Sequence, residues 1–324
     1  MDFLIPLYIS PLSERIRYSD HILLVGSCFT EHMAARFTRL KFSNCSNSHG
    51  ILFNPLSIAR ALTDVADQRV YTHSDLFLLN EYWHSWYHHS DFSDLNPNIS
   101  LQKINDSIST HHAMLKKANY LFITLGSSFA YNLVDQNIYV SNNHRAPAAW
   151  FRKDLLSVDV MKEALDRMTS ALKAFNPGLK IIYTVSPVRH IRDGVVENNR
   201  SKARLIELAH SMENSYYFPA YELLIDVLRD YRFYDADLVH PNYAGTAYVW
   251  EQFVQHCIDH SCYGLMEEMD RIFKAANHKP FSTESQAHKE FMKTHAELCL
   301  DLQHKHPHLD LNREIEYFKS GTHS

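Results

Sequence analysis

The chain has 324 residues, only eight of them glycine, a formal net charge of −5 and 45% hydrophobic residues. Glycine at about a third of its usual share of roughly 7% leaves no G-x-G-x-x-G and no G-x-x-x-x-G-K-[ST], so Gly-based dinucleotide and P-loop sites lack support. The balance of 32 basic against 37 acidic residues excludes a strongly basic nucleic-acid binder. Length allows one large domain or two small ones at about 150 residues each. Cys28, Cys45, Cys257, Cys262 and Cys299 are odd in number and lack C-x-x-C spacing, so they read as free thiols of a reducing compartment. No apolar run approaches the 18 or so residues of a membrane span. The opening Met-Asp-Phe-Leu-Ile-Pro lacks a basic n-region, so no signal peptide is expected and the expected location is cytoplasmic.

In chain order, Ile22-Leu23-Leu24-Val25 is a continuous apolar run that suits a strand buried on both faces. It leads into a helix over Phe29–Arg39, with Phe29, Met33 and Phe37 on one stripe. Pro55 fits the first position of a helix capped by Asn54, with Ile58, Leu62 and Val65 on one face. Leu101, Ile104, Ile108 and Leu115 mark another helix, and Tyr120–Leu125 a second buried strand. Met161, Leu165, Met168, Leu172 and Phe175 form a helical stripe stopped by Asn176-Pro177-Gly178, and Lys180–Val185 is the third strand. A helix with Leu205, Leu208, Ala209 and Met212, a short strand at 216–218, a helix near 221–229 and a loop over 231–240 follow. A helix carrying Val249, Trp250, Phe253 and Cys257 closes this part. Strand and helix alternating without hairpin signals predict a parallel sheet covered on both faces. From about residue 261 only helical stripes remain: Leu265, Met269, Ile272, Phe273, then Phe291, His295, Leu298, Leu302. The expected organisation is a domain over residues 1–260 with a helical extension, 261–324, packed on it.

Ligands of such sheets bind outside the carboxyl ends of the strands. Three turns gather there: Gly26-Ser27-Cys28, Gly126-Ser127-Ser128 and Ser186-Pro187-Val188-Arg189-His190. The loop Asp237-Leu238-Val239-His240 joins them. At a helix N-terminus Cys28 would meet amides that favour a thiolate. A histidine such as His240 can take its proton, and Asp237 can fix the imidazole tautomer. The same turn also reads as a plain helix cap around a buried thiol.

The segment Val25-Gly26-Ser27-Cys28-Phe29-Thr30-Glu31 resembles the signature after which the GSCFA-domain family is named, within the SGNH/GDSL hydrolase superfamily. Further likeness lies in Trp83–His89, Thr124-Leu125-Gly126, Thr184–His190, Asn198–Lys202, Tyr217–Glu222, Leu228–Tyr234, Asp237–Pro241 and His278–Phe281. The resemblance implies a three-layer α/β/α fold with a parallel sheet. It also implies a hydrolase or acyltransferase that acts on an ester or thioester through an acyl-enzyme. The superfamily's G-D-S-L block falls on Gly26-Ser27-Cys28-Phe29, which puts Cys28 where the serine nucleophile is expected and Ser27 where the aspartate is. Cys28 is the expected nucleophile and Ser27 the fallback. Gly50 matches the second-block oxyanion glycine, Ser128 the third-block asparagine, and Asp237 and His240 match D-x-x-H without departure. The two departures motivate an alternative, an inactive binding or scaffold protein on the same fold.

Arg189 and His190, at a strand exit, are candidates for holding an anionic substrate group, and His84 for a cleft wall. His84, His88 and His89 have i, i+4 spacing but no intervening H-E-x-x-H glutamate, so no metal and no other cofactor is expected. The expected partner is a small-molecule or glycan acyl ester, with no nucleic acid and no membrane span. The sequence is silent on oligomeric state.

Overall fold

A computed structural model describes residues 5–321. The N-terminal reading rests partly on residues 1–4, which lie outside the described residues, as do the last three residues of the expected extension.

Five parallel strands form the central sheet: β1 (His21–Gly26), β2 (Ser43–Ser46), β5 (Tyr120–Leu125), β9 (Lys180–Val185) and β10 (Ser215–Phe218), in the order β10-β9-β5-β1-β2. Register pairs Leu23 with Leu121 and Leu121 with Ile181, so the apolar runs lie side by side. Their side chains alternate between two cores, as a period of two requires. Ile22, Leu24, Tyr120 and Phe122 enter one cluster; Leu23, Val25, Leu121, Ile123 and Leu125 enter the other. That alternation explains why β1 and β5 carry apolar residues on both faces and not on one only.

The first cluster is covered by α1 (Cys28–Arg39) and by α7 (Tyr243–Cys257), whose Val249, Trp250 and Phe253 pack against Phe37. The second lies beneath α2 (Pro55–Ala66), α4 (Val158–Phe175) and α5 (Val195–Ser211). The fold is therefore a three-layer α/β/α arrangement. Asn54 caps α2 by accepting from the Ser57 N–H at 2.9 Å, and Asn96 caps α3 (Pro97–Lys117) through the Asn98 N–H. After α6 (Ala220–Glu222) the chain winds into π-helical turns over Leu223–Leu228. The C-terminal helices α8 (Tyr263–Ala276), α9 (Gln286–Lys305) and α10 (Asn312–Ser320) bury Met269, Cys299, Ile315 and Phe318 in the first cluster. Among the described residues no helix is long and apolar enough to cross a membrane.

Three features depart from the sequence reading. A hairpin joins β3 (Phe77–Leu79) to β4 (Tyr82–His84), and a small antiparallel sheet joins β6 (Phe129–Leu133), β7 (Ile138–Val140) and β8 (Phe151–Leu155). Hairpins are therefore present where none were expected. His84 lies on a strand, so the helical spacing drawn from His84 to His88 does not exist. The polar edge strand β2 also escaped the apolar criterion.

Candidate active site

Because the sheet is parallel, β1, β5, β9 and β10 deliver their carboxyl ends to one edge. Counted in chain order the five strands run 2-1-3-4-5, and the order reverses between β1 and β5, where doubly wound sheets place their ligands. The Cys28 turn leaves β1 there and Gly126-Ser127-Ser128 leaves β5.

The turn after β1 is tight. Gly26 has φ +144°, and a Cβ on it would lie 2.2 Å from the Thr124 carbonyl oxygen, a contact no side chain tolerates. The next N–H, of Ser27, donates to the same oxygen at 3.2 Å. Asn47 clamps the turn from the second loop: its Oδ1 accepts from the Gly26 N–H at 2.9 Å and its amide donates to Glu31 on α1. Ser27 is fully buried, and its hydroxyl has no hydrogen-bond partner. Cys28 is half-buried at the first position of α1. Burial pushes its thiol above the ordinary value, opposed by the Lys202 ammonium and by the amide N–H groups of Phe29 and Cys28. Of the two positions expected from the sequence to carry a nucleophile, only Cys28 reaches partly accessible surface.

Asp237 and His240 come together as the D-x-x-H spacing requires. His240 Nδ1 lies 2.7 Å from Asp237 Oδ2, while Asp237 Oδ1 accepts from the backbone N–H groups of Val239 and His240 at 2.9 and 3.0 Å. These bonds hold the Asp237 carboxyl down at about 2. With Nδ1 donating to Asp237, Nε2 is the ring's remaining acceptor. The loop is tied to the exit of β9, where the Arg189 N–H donates to the Val239 carbonyl at 3.1 Å. Burial, then Arg36 and then His240, hold His32, one turn beyond Cys28 on α1, below the ordinary imidazole value. No hydrogen bond joins His240 to Cys28 or to Ser27; the Asp237 contact is its side-chain bond.

The other expected groups are placed differently. The Gly50 N–H is already donated to the Asn47 carbonyl at 2.8 Å, and the residue (φ +77°) packs so closely on His89 that a Cβ would meet the His89 Cβ at 2.3 Å. Ser128 is fully buried and its hydroxyl donates to the Ser201 carbonyl at 3.2 Å. The free amides beside the sulfur are those of α1. His84 is 8% exposed and spends both ring nitrogens internally, on Ser93 Oγ at 2.7 Å and the Leu79 carbonyl at 3.2 Å. It stands inside the wall and not at its surface. His190 stacks edge-on against Phe53, and burial together with the nearby Lys202 and His240 pushes its imidazole down to about 3. It is therefore neutral near pH 7. Among the described residues no group of three or more His, Cys, Asp or Glu side chains could hold a metal ion.

One residue at the site was absent from the sequence-derived candidates. Lys202, on α5, is 1% exposed; its Nζ donates at 2.8 Å to both the Gly126 and the Ser186 carbonyls, just past the ends of β5 and β9. Burial drives its amine down to about 7, and Cys28 is the one charge partner that opposes the shift. The sequence signal was its place in Asn198–Lys202, on a helix whose other buried positions include Asn198 and Ser201.

No curated protein is significantly similar to the chain. Among solved structures, a carbohydrate esterase family 3 protein from Talaromyces cellulolyticus aligns at 12% identity over 77% of this chain and 99% of that one, with a TM-score of 0.37. A substituted acetyl esterase solved with acetate ion aligns at 12% identity over 77% and 99%, with a TM-score of 0.35. Family models give the decisive likeness. Residues 21–253 match the GSCFA family and residues 269–324 match the GSCFA domain protein, C-terminal domain. The first match alone spans more than half the chain and contains Cys28, Lys202, Asp237 and His240, so the chain belongs to the GSCFA family.

Proposed function

We propose that the protein is an SGNH-like hydrolase or acyltransferase that cleaves an ester or thioester through an acyl-enzyme on Cys28. The observation that carries this reading is the Asp237–His240 pair, with Nε2 left as an acceptor, on the same sheet edge as a cysteine at a helix N-terminus. In the first step the Cys28 sulfur bonds to the acyl carbon, the thiol proton passes to His240 Nε2, and the carbonyl oxygen becomes an oxyanion. Collapse breaks the bond to the leaving group, which departs with the proton from His240. Water or an acceptor alcohol then attacks the thioester carbon, giving its proton to His240; collapse breaks the bond to sulfur, and Cys28 leaves with that proton as the free thiol. Asp237 fixes the tautomer and stabilises the imidazolium. The α1 amides and the Lys202 ammonium favour negative charge at this turn. Catalytic hydrogen bonds are often long in ligand-free enzymes, so the His240–Cys28 contact belongs to the substrate complex. Arg189 and His190 contribute to the substrate wall, and a small-molecule or glycan acyl ester is the expected substrate.

One observation favours the alternative of a non-catalytic binding protein: the Gly50 N–H and the Ser128 hydroxyl are both committed to other partners. One experiment separates the two. 4-Nitrophenyl acetate hydrolysis and iodoacetamide labelling of Cys28 are measured at pH 7 for wild type, Cys28→Ala, Ser27→Ala and His240→Ala. The enzyme reading expects loss of turnover in Cys28→Ala, retention in Ser27→Ala, and a fall in rate of about 100-fold or more in His240→Ala. Full activity in Cys28→Ala overturns the nucleophile. An inert thiol with no turnover in any protein overturns the enzyme reading in favour of the binding protein.

A further inference from the structure

Beside the Asp237–His240 loop lies a second feature, which shares Arg189 with the proposed substrate wall and whose other groups take no part in the acyl-transfer steps. A cavity of about 260 Å³ is lined by Arg189, Leu224, Ile225, Arg229, Asp230, Tyr231 and Tyr234. Three independent properties converge on it. First, it holds the guanidinium groups of half-buried Arg189 and exposed Arg229, whose side chains make neither a hydrogen bond nor an ion pair among the described residues, whereas the carboxylate on its rim, Asp230, is taken by Arg232. An Arg fork left without an acceptor at a cavity wall matches the geometry of a carboxylate or phosphate. Second, the wall is built from unfavourable backbone. Leu223–Leu228 is π-helical, and Arg229 follows at φ +44°, a left-handed conformation that a non-glycine residue adopts at a cost. π-Turns and strained backbone concentrate at functional sites. Third, the cavity is wired to the catalytic loop. The Arg189 N–H bonds the Val239 carbonyl, Tyr234 pairs with Pro241, and the Asp235 N–H bonds the His240 carbonyl at 2.8 Å.

The chemistry of the lining is specific. Leu224 and Ile225 provide an apolar floor. Tyr231, exposed, and Tyr234, buried, stand with ring centroids 6.2 Å apart, and both phenols flank the cationic wall. Such a surface accepts a ring against the aromatics while an oxyanion meets the two arginines.

We propose that this cavity is the specificity subsite of the Cys28 centre and binds a carboxylate or phosphate group carried on a ring-shaped substrate, such as an acylated acidic sugar or sugar phosphate. The assignment rests on the acyl-enzyme reading only for what the subsite serves; anion binding itself is independent of turnover.

The test measures binding and needs no activity. The full chain, as wild type and as Cys28→Ala, Arg189→Met and Arg229→Met, is titrated with D-glucuronate, glucose 6-phosphate and glucose, with tyrosine fluorescence as the readout. The expected result is saturable binding of one or both anions to wild type and Cys28→Ala, tenfold or more weaker binding of glucose, and at least tenfold loss in each arginine variant. Whichever anion binds more tightly identifies the group. Among the described residues neither arginine side chain holds a hydrogen bond or an ion pair, so the variants are expected to melt with the parent, which circular dichroism checks. No saturable anion binding to wild type, equal binding of glucose, or wild-type affinity in both arginine variants overturns the proposal. Anion binding by a wild type that has no esterase turnover, or by a Cys28→Ala protein that keeps full turnover, refutes the acyl-enzyme reading and leaves the subsite standing.

Discussion

The fully buried Lys202 makes a quantitative statement about stability that can be checked without a substrate. Its amine titrates at about 7 in the fold against 10.5 as an ordinary lysine. The folded protein thus releases this proton before the unfolded chain does, so the group adds stability as pH rises from about 7 and its contribution is complete above about 10.5. Integrated between those values, its contribution grows by about 2 kcal/mol from pH 7 to pH 9. Lys202→Met removes the titration and leaves the Gly126 and Ser186 carbonyls without their donor, a loss of about 1–3 kcal/mol each that does not depend on pH. Urea denaturation of Cys28→Ser and of Cys28→Ser/Lys202→Met, at pH 7 and pH 9, isolates the effect, because the first change removes the coupled thiol. The parent should gain about 2 kcal/mol more than the double variant over that interval. Parallel pH dependence in the two proteins would refute the depressed titration of the buried amine.

Two further outcomes test the frame around the site. Gly26→Ala puts a methyl 2.2 Å from the Thr124 carbonyl oxygen at φ +144°, so it should cost about 3 kcal/mol or more; a thermal midpoint equal to wild type refutes the tight-turn account. His144, 6% exposed and bonded through Nε2 to the Ser85 carbonyl at 2.8 Å, is pushed by burial down to about 4. Its contribution is present above pH 6.5 and lost as pH falls toward 4, by about 2 kcal/mol between pH 7 and pH 5; acid denaturation curves of His144→Gln and wild type that lose stability equally refute it.

What could be read from the sequence follows the range of the interactions that make each feature. The strands at 22–25, 120–125 and 180–185 are legible because burial on both faces forces unbroken apolar runs. Strand β2 is not, because Ser-Asn-Cys-Ser carries no apolar signal and is held by pairing with β1. The β3–β4 hairpin hides for a local reason. Its turn residues Asn80 and Glu81 both adopt positive φ, but glutamate stands where Asn-Gly would have announced the turn. At the site the same logic separates the residues. Asp237 and His240 are three positions apart, and their bond is made within one turn of chain, so spacing sufficed. Gly26 is legible because a strand-to-helix turn of this tightness admits no side chain. Lys202 belongs to a different layer: it reaches the site only when α5 packs over β5 and β9, and a lysine on a helix ordinarily signals a solvated face. The structure inverts that expectation. Where the resemblance to the wider superfamily implies an aspartate at the first block and an asparagine at the third, this sequence has Ser27 and Ser128, both fully buried. The Lys202 amine is brought to the ends of β5 and β9 by tertiary packing of α5, a placement that single-sequence spacing does not encode.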